Sequence, residues 1–222
     1  MKRSLPFIII SVIALATLGG GAMLYRAKRP HPLVIPKDKI VGARADNASM
    51  HIRGSRDATV TLEEFGDFQC PPCRLIAGFL DQLVEEYRPH LRIIFRHFPL
   101  SSHKHAREAA LAAEAAGLQG RFWEMHDVLY REQVGWSKVG DAAELFNSYA
   151  GMLKLDLERF KKDVAAEKTK ARVAADVERG ESLGVKITPT IFINDLELAA
   201  DNRTPNGVRA MIDAALPAEP TR

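Results

Sequence analysis

The chain reads as an α/β fold whose halves are separated by a block of helices, and three observations carry that reading. A strand-like run, a helix-like run and a second strand-like run follow one another between Thr59 and Leu100 with short connections, which is a parallel crossover unit. Helical periodicity then occupies about His103 to Leu183 without a strand signal. Two short β-rich runs and an amphipathic helix close the chain after Thr188.

"TVTLEEF" alternates and is rich in β-branched residues, so it is expected as a strand with Val60, Leu62 and Glu64 on one face and Glu63 on the other. "PPCRLIAGFLDQLVEEY" places Leu75, Ile76, Phe79, Leu80, Leu83 and Val84 at helical spacing, and "LRIIFRHFPL" is a strand closed by Pro99. The helical block divides into "HAREAALAAEAAGL", "RFWEMHDVLYREQ", "AAELFNSYAGML" and a long stretch from Asp156 that breaks in two. In it Phe122 and Trp123 read as core. "TPTIFIN" is a strand introduced by Pro189, "LELAA" a strand after a tight Asn194–Asp195 turn, and "PNGVRAMIDAAL" a helix with Pro205 near its start.

The ends are organised differently. Ser4 to Tyr25 is 22 residues without a charge, preceded by Lys2 and Arg3 and followed by "RAKRP". That is long enough to span a bilayer as a helix, so 1–29 is expected to be a signal anchor, with a signal peptide cleaved after Ala22 as the alternative. Residues 30–48 read as a linker leading into an entry segment near "MHIRGSRDA", 49–217 as the globular domain with its helical insert at about 103–183, and 218–222 as a tail. The usual export layout places the domain on the periplasmic or extracytoplasmic side of the inner or plasma membrane.

Composition excludes some functions. The net charge of +3 comes from the first thirty residues, which hold five basic side chains and no acidic one, leaving 26 basic against 28 acidic in the rest. No basic domain for nucleic acid remains. Asn47 and Asn202 stand in sequons, which matter only in a glycosylating host.

The two cysteines of the chain, Cys70 and Cys73, sit in "FGDFQCPPCR". A structural disulfide there would close too small a loop to constrain much chain. A zinc site lacks a second pair of ligands nearby, so no metal is expected. A reactive pair fits the position. With the helix opening after Cys70, that residue is the N-cap, Pro71 the first helical residue and Cys73 the third. The unpaired N–H groups and the dipole of the first turn favour a thiolate on Cys70. Cys70 is therefore the expected nucleophile and Cys73, facing inward, the resolving thiol. His97, His103, His105 and His126 read as surface or helix-capping residues.

"FGDFQCPPC" after a strand, "FRHFPL", "GRFWEMHDVLY" and "GVKITPTIFIN" together resemble the thioredoxin superfamily, and within it the DsbA-like thiol-disulfide oxidoreductases, over roughly Met50 to Leu216. The resemblance implies a thioredoxin-like fold with a helical insertion between βαβ and ββα halves. It implies a cis Pro189 that, with Thr188, presents backbone to a substrate strand, the alternative being a trans proline at a strand edge. It implies for Glu64 the place of a buried acid serving proton transfer to the resolving thiol, the alternative being a solvated carboxylate.

No cofactor beyond the Cys70–Cys73 disulfide is implied. The expected partners are exported cysteine-containing proteins and a membrane redox partner, and the expected role is a disulfide donor in oxidative folding. A reductase or isomerase, or a non-enzymatic binding module, is the alternative. Well-known oxidases of the family carry Pro-His between the cysteines where this chain has Pro71 and Pro72. Losing that imidazole and one N–H predicts a Cys70 pKa below a free thiol's yet above that of the Pro72→His variant, and a less oxidising couple.

Overall fold

The computed structural model describes residues 51–217. The expected N-terminal apolar helix, the linker and the tail lie outside the described residues. Within those residues no helix is long and apolar enough to cross a membrane.

Five strands form one sheet in the order β1-β3-β2-β4-β5, where β1 is Ile52–Gly54, β2 Val60–Gly66, β3 Leu91–His97, β4 Thr190–Ile193 and β5 Leu196–Glu197. β2 and β3 run parallel, joined by helix α1 (Pro71–Glu86), and the other pairings are antiparallel. β1 was not expected. Its three residues fall in the presumed entry segment and pair with the outer edge of β3. Asn194 and Asp195 both take positive φ in the turn between β4 and β5, as a two-residue hairpin requires.

The register Leu62↔Ile93 and Leu62↔Ile193 puts Val60, Leu62, Ile93, Ile191 and Ile193 on one face. They pack against Ile76, Leu80, Leu83 and Val84 of α1 and Val208, Met211 and Ile212 of α8 (Pro205–Ala215). Each such side chain, fully buried, contributes roughly 1.5–3 kcal/mol. Thr204 caps α8 by accepting from the Gly207 N–H, with Pro205 at its first position.

Leu75 departs from the expected apolar stripe. It lies two residues, or about 200°, beyond buried Cys73 on the helix and is 74% exposed. Phe79 is only partly buried.

The insert comprises α2 (Ala106–Gly117), α3 (Phe122–Arg131), the one-turn α4 (Gln133–Trp136), α5 (Ala143–Met152), α6 (Leu157–Ala165) and α7 (Glu167–Ser182). The long final stretch breaks at Ala166, as expected. Alanines of α2 let it sit close to Phe122, Met125 and Leu129 of α3 in a core that also takes in Phe68, Cys70, Cys73 and Phe95. α7 covers the other sheet face, where Phe65, Phe98, Val185 and Phe192 cluster beside Val177 and Leu183. β2 is thus buried on both faces.

Candidate active site

β2 ends at Gly66, which the close approach of neighbours requires to be glycine, since a Cβ there would lie 2.5 Å from the Phe95 ring. The next four residues form a loop tied down on every side. Asp67 accepts at its backbone oxygen from the Cys70 N–H at 3.0 Å and from the Tyr130 hydroxyl at 3.4 Å. Gln69 accepts from the His105 N–H at 2.6 Å and donates to the Ser137 carbonyl at 3.3 Å. Buried Gln133 of α4 uses both hydrogens of its amide, donating to the carbonyls of Phe68 at 2.7 Å and Cys70 at 2.9 Å. The loop is therefore held by the insert as much as by the sheet.

Cys70 is the N-cap of α1, Pro71 follows at the first position, and Cys73 completes the first turn. Both thiols are unbridged. Cys70 is 4% exposed and Cys73 0%. The Cys73 thiol, donating to the Cys70 sulfur, is the largest influence that pulls the Cys70 pKa down to about 6. Burial opposes it, while the Thr188 side chain and the Cys73 N–H add to it. As a thiol, Cys70 donates to the Thr188 carbonyl at 3.2 Å. Ionisation removes that donation and leaves the buried Thr188 hydroxyl, which has no other partner, as a donor to the sulfur. Cys73 goes the other way: burial, its bond to Cys70 and the nearby Glu64 push it well above an ordinary thiol.

Glu64 faces this pair from β2. It is fully buried, Oε1 has no hydrogen-bond partner, and burial followed by the nearness of Cys70 raises its pKa to about 8. Tyr130 stands beside it, its hydroxyl raised mainly by burial.

The Thr188–Pro189 bond is cis, and this segment leads into β4 opposite Cys70. A groove of about 490 Å³ opens here between Pro72, Leu75 and Phe79 on α1 and Thr188, Pro189 and Pro205. The unexpected exposure of Leu75 thus gives the groove an apolar wall.

The histidines depart from a surface placement, since three of the four are buried, although His105 does stand at the N-cap of α2. His97 lies at 0% exposure, His105 at 1% and His126 at 3%. His105 bonds to Glu108 and the Val139 carbonyl, and His126 to Asp127. His103 alone is partly exposed, bonded through Nδ1 to Asp67.

His97 joins His51 and Glu114 in a cluster that sequence spacing does not reveal, because the three residues precede β1, end β3 and lie in α2. It is the group among the described residues whose ligand atoms lie close enough for a metal ion. Both imidazoles donate Nε2–H to the same oxygen of Glu114, at 2.7 and 2.9 Å. Two ligands of a tetrahedral zinc stand about 3.3 Å apart, so these distances are those of hydrogen bonds. Burial opposes ionisation of Glu114, but the two imidazoles outweigh it and hold the carboxyl well below its usual range. With His51 stacked on Phe122, the cluster fastens the insert to the sheet.

The profile of the Thioredoxin_4 family, described as thioredoxin, matches residues 46–214. Among solved structures, DsbA2 of Pseudomonas aeruginosa is similar at a TM-score of 0.58 and 25% identity, over 68% of this chain and 83% of that one. BdbD of Bacillus subtilis shares the fold at a TM-score of 0.66 and 24% identity, over 74% of this chain and 91% of that one.

The curated relatives are much longer proteins. One named Na(+)/H(+) antiporter NhaA 1, of Salinispora arenicola, is 42% identical over 65% of this chain and 21% of its own length. One named Na(+)/H(+) antiporter NhaA, of Herminiimonas arsenicoxydans, is 31% identical over 94% of this chain and 32% of its own length. The chain thus spans about a fifth to a third of these relatives. The matching profile covers most of the chain and the Cys70–Cys73 pair opens the helix after β2: the chain belongs to the Thioredoxin_4 family and has a DsbA-like fold.

Proposed function

We propose that the Cys70–Cys73 pair donates disulfides to exported proteins, with Cys70 as the nucleophile and Cys73 as the resolving thiol. The observation that carries this reading is the opposed tuning of the pair: Cys70 is drawn down to about 6 while Cys73 is pushed well above an ordinary thiol. A sulfur stable as a thiolate is a good leaving group, which favours passing a disulfide on.

In the forward direction a substrate thiolate attacks the Cys70 sulfur of the oxidised pair. The Cys70–Cys73 bond breaks, a mixed disulfide forms on Cys70, and the electron pair leaves on Cys73. Glu64, carrying a proton at neutral pH, is the acid placed to protonate Cys73 as it leaves. A second substrate thiolate then attacks the substrate sulfur of the mixed disulfide, forming the substrate disulfide and expelling Cys70 as thiolate. Two electrons have passed to the protein; of the two protons lost by the substrate, one replaces the proton that Glu64 gave to Cys73 and one enters solvent. A membrane redox partner takes the two electrons back.

Thr188 and Pro189 line the groove as the backbone edge on which an extended substrate segment lies, with Leu75 and Phe79 against its side chains. The apolar Ser4–Tyr25 supports attachment to a membrane with 49–217 as the extracytoplasmic domain, and a match over 94% of the chain cannot omit all of that stretch.

Three measurements test the reading. A Cys73→Ala variant is expected to trap exported proteins on Cys70 as mixed disulfides, and trapping none sinks it. A reduction potential nearer about −120 mV is expected, whereas one near about −270 mV supports a reductase. If Cys70→Ser keeps its biological effect, the protein is a binding module.

A further inference from the structure

Asp67 stands three residues before Cys70 in "FGDFQC", its side chain wholly buried. One carboxylate oxygen accepts from the Gln69 N–H at 2.7 Å. The other accepts from the Leu100 N–H at 2.9 Å and from Nδ1–H of His103 at 2.7 Å. A negative charge held here acts against a second one on the Cys70 sulfur, and Asp67 is among the influences that push that thiol up.

His103 comes from the segment between β3 and α2 and bonds to the Asp67 carboxylate. Its side chain is 25% exposed and lines a cleft of about 630 Å³. The charged groups around the ring there are Lys104, Arg107, Glu178 and Glu181, two of each sign. The Asp67 backbone meets the Tyr130 hydroxyl from α3 and the Cys73 thiol, while its carboxylate charge is felt at Cys70. The ring therefore has one nitrogen on a buried carboxylate three residues before Cys70, and it is itself partly open to solvent.

We propose that His103 is a positioning residue for thiol exchange: without touching Cys70, it holds Asp67 by a hydrogen bond from Nδ1 and screens that carboxylate from the Cys70 sulfur. Where Pro71 and Pro72 leave the dipeptide without an imidazole, His103 supplies one from the segment after β3, through Asp67. What it sets is the share of Cys70 present as thiolate, hence how readily Cys70 leaves a mixed disulfide and how oxidising the pair is. This rests on Cys70 being the nucleophile.

The test is a double-mutant cycle read by ultraviolet thiolate absorbance against pH and by equilibrium with glutathione. His103→Ala is expected to lower the thiolate-to-thiol ratio of Cys70 roughly threefold at a given pH and to make the pair less oxidising. Asp67→Asn is expected to raise that ratio. In the Asp67→Asn background, His103→Ala should then change nothing, whereas a purely structural role for His103 would move the ratio equally in both backgrounds and overturn the proposal. An unchanged ratio in the single His103→Ala variant overturns it as well.

Should Asp67→Asn not fold, His103→Lys takes its place. Placing an ammonium donor beside Asp67, it should hold the ratio at or above that of the unmodified protein, and a fall like that of His103→Ala counts against the idea. Cys70→Ser separates this from the underlying reading: if the low-pH thiolate signal survives that change, Cys70 is not the activated thiol, whatever His103 does.

Discussion

Glu63 and Glu64 are neighbours on one strand, both buried, and the protein treats them in opposite ways. Glu63 points to the face under α7, where Arg96 Nε donates to it at 2.7 Å and Arg179 donates through Nε and Nη2, each at 2.8 Å. Glu64 points to the face under α1, where Oε1 has no partner and the nearest charge is that of a thiolate. The first is a carboxylate made tolerable by cations. The second is a carboxyl kept protonated because nothing compensates its charge. A strand that alternates by one residue therefore separates an acid neutralised by cations from one kept protonated beside the cysteine pair.

Removing each acid in turn should break the comparison if it is wrong. The largest effect is expected from Glu63→Leu, which leaves Arg96 and Arg179 without this carboxylate in a buried place. Unfolding in denaturant should show a loss of about 3–5 kcal/mol, with the Cys70 thiolate titration unmoved. A drop in exchange rate per folded molecule would show that the two acids are not separate in role.

Glu64→Gln should do the reverse. The step in which Cys73 leaves or attacks, followed by stopped-flow mixing with a dithiol, is expected to slow roughly ten- to a hundredfold, with the fold intact. An unchanged rate would remove Glu64 from the chemistry.

The pH dependence sharpens the point. Glu64 titrates near 4.5 when exposed and at about 8 in the folded protein, so between those values the native state binds more protons than the unfolded one. Its contribution to stability is thus most favourable below about pH 4.5 and is lost as pH rises toward 8. Compared by denaturant melts, Glu64→Gln should gain on the unmodified protein by about 1–3 kcal/mol between pH 5 and 8, again discounting for relaxation around the site. The smallest effect concerns redox state. Part of the rise at Glu64 comes from the Cys70 charge, so forming the disulfide should lower the Glu64 midpoint slightly, as read by carboxyl-resolved NMR.

Much of this was legible in the sequence. "CPPC" at a strand-to-helix junction marked the site, and "TPT" before a late strand marked the segment that the fold brings opposite Cys70. What was not legible depends on distant packing. β1 is three residues long, too short for alternation to register, and it exists because the edge of β3 needs a partner. The pattern of α1 enrolled Leu75 as core because leucine spacing cannot tell a buried stripe from the wall of a groove. His51, His97 and Glu114 carry no local signature, since 63 positions separate the first from the last. The alternation of β2 marked two faces, but only α7, arriving more than a hundred residues later, buries the second.

Gln133 has a consequence for how the molecule is divided. By filling two carbonyls of the catalytic loop from a one-turn helix of the insert, it makes the insert part of the socket rather than a cover added to it. Excising residues 103–183 to obtain a minimal thioredoxin would leave the loop's oxygens facing water and Cys70 without a fixed seat. The helical block is therefore not a removable module, and variation within it reaches the sulfur chemistry through a single amide.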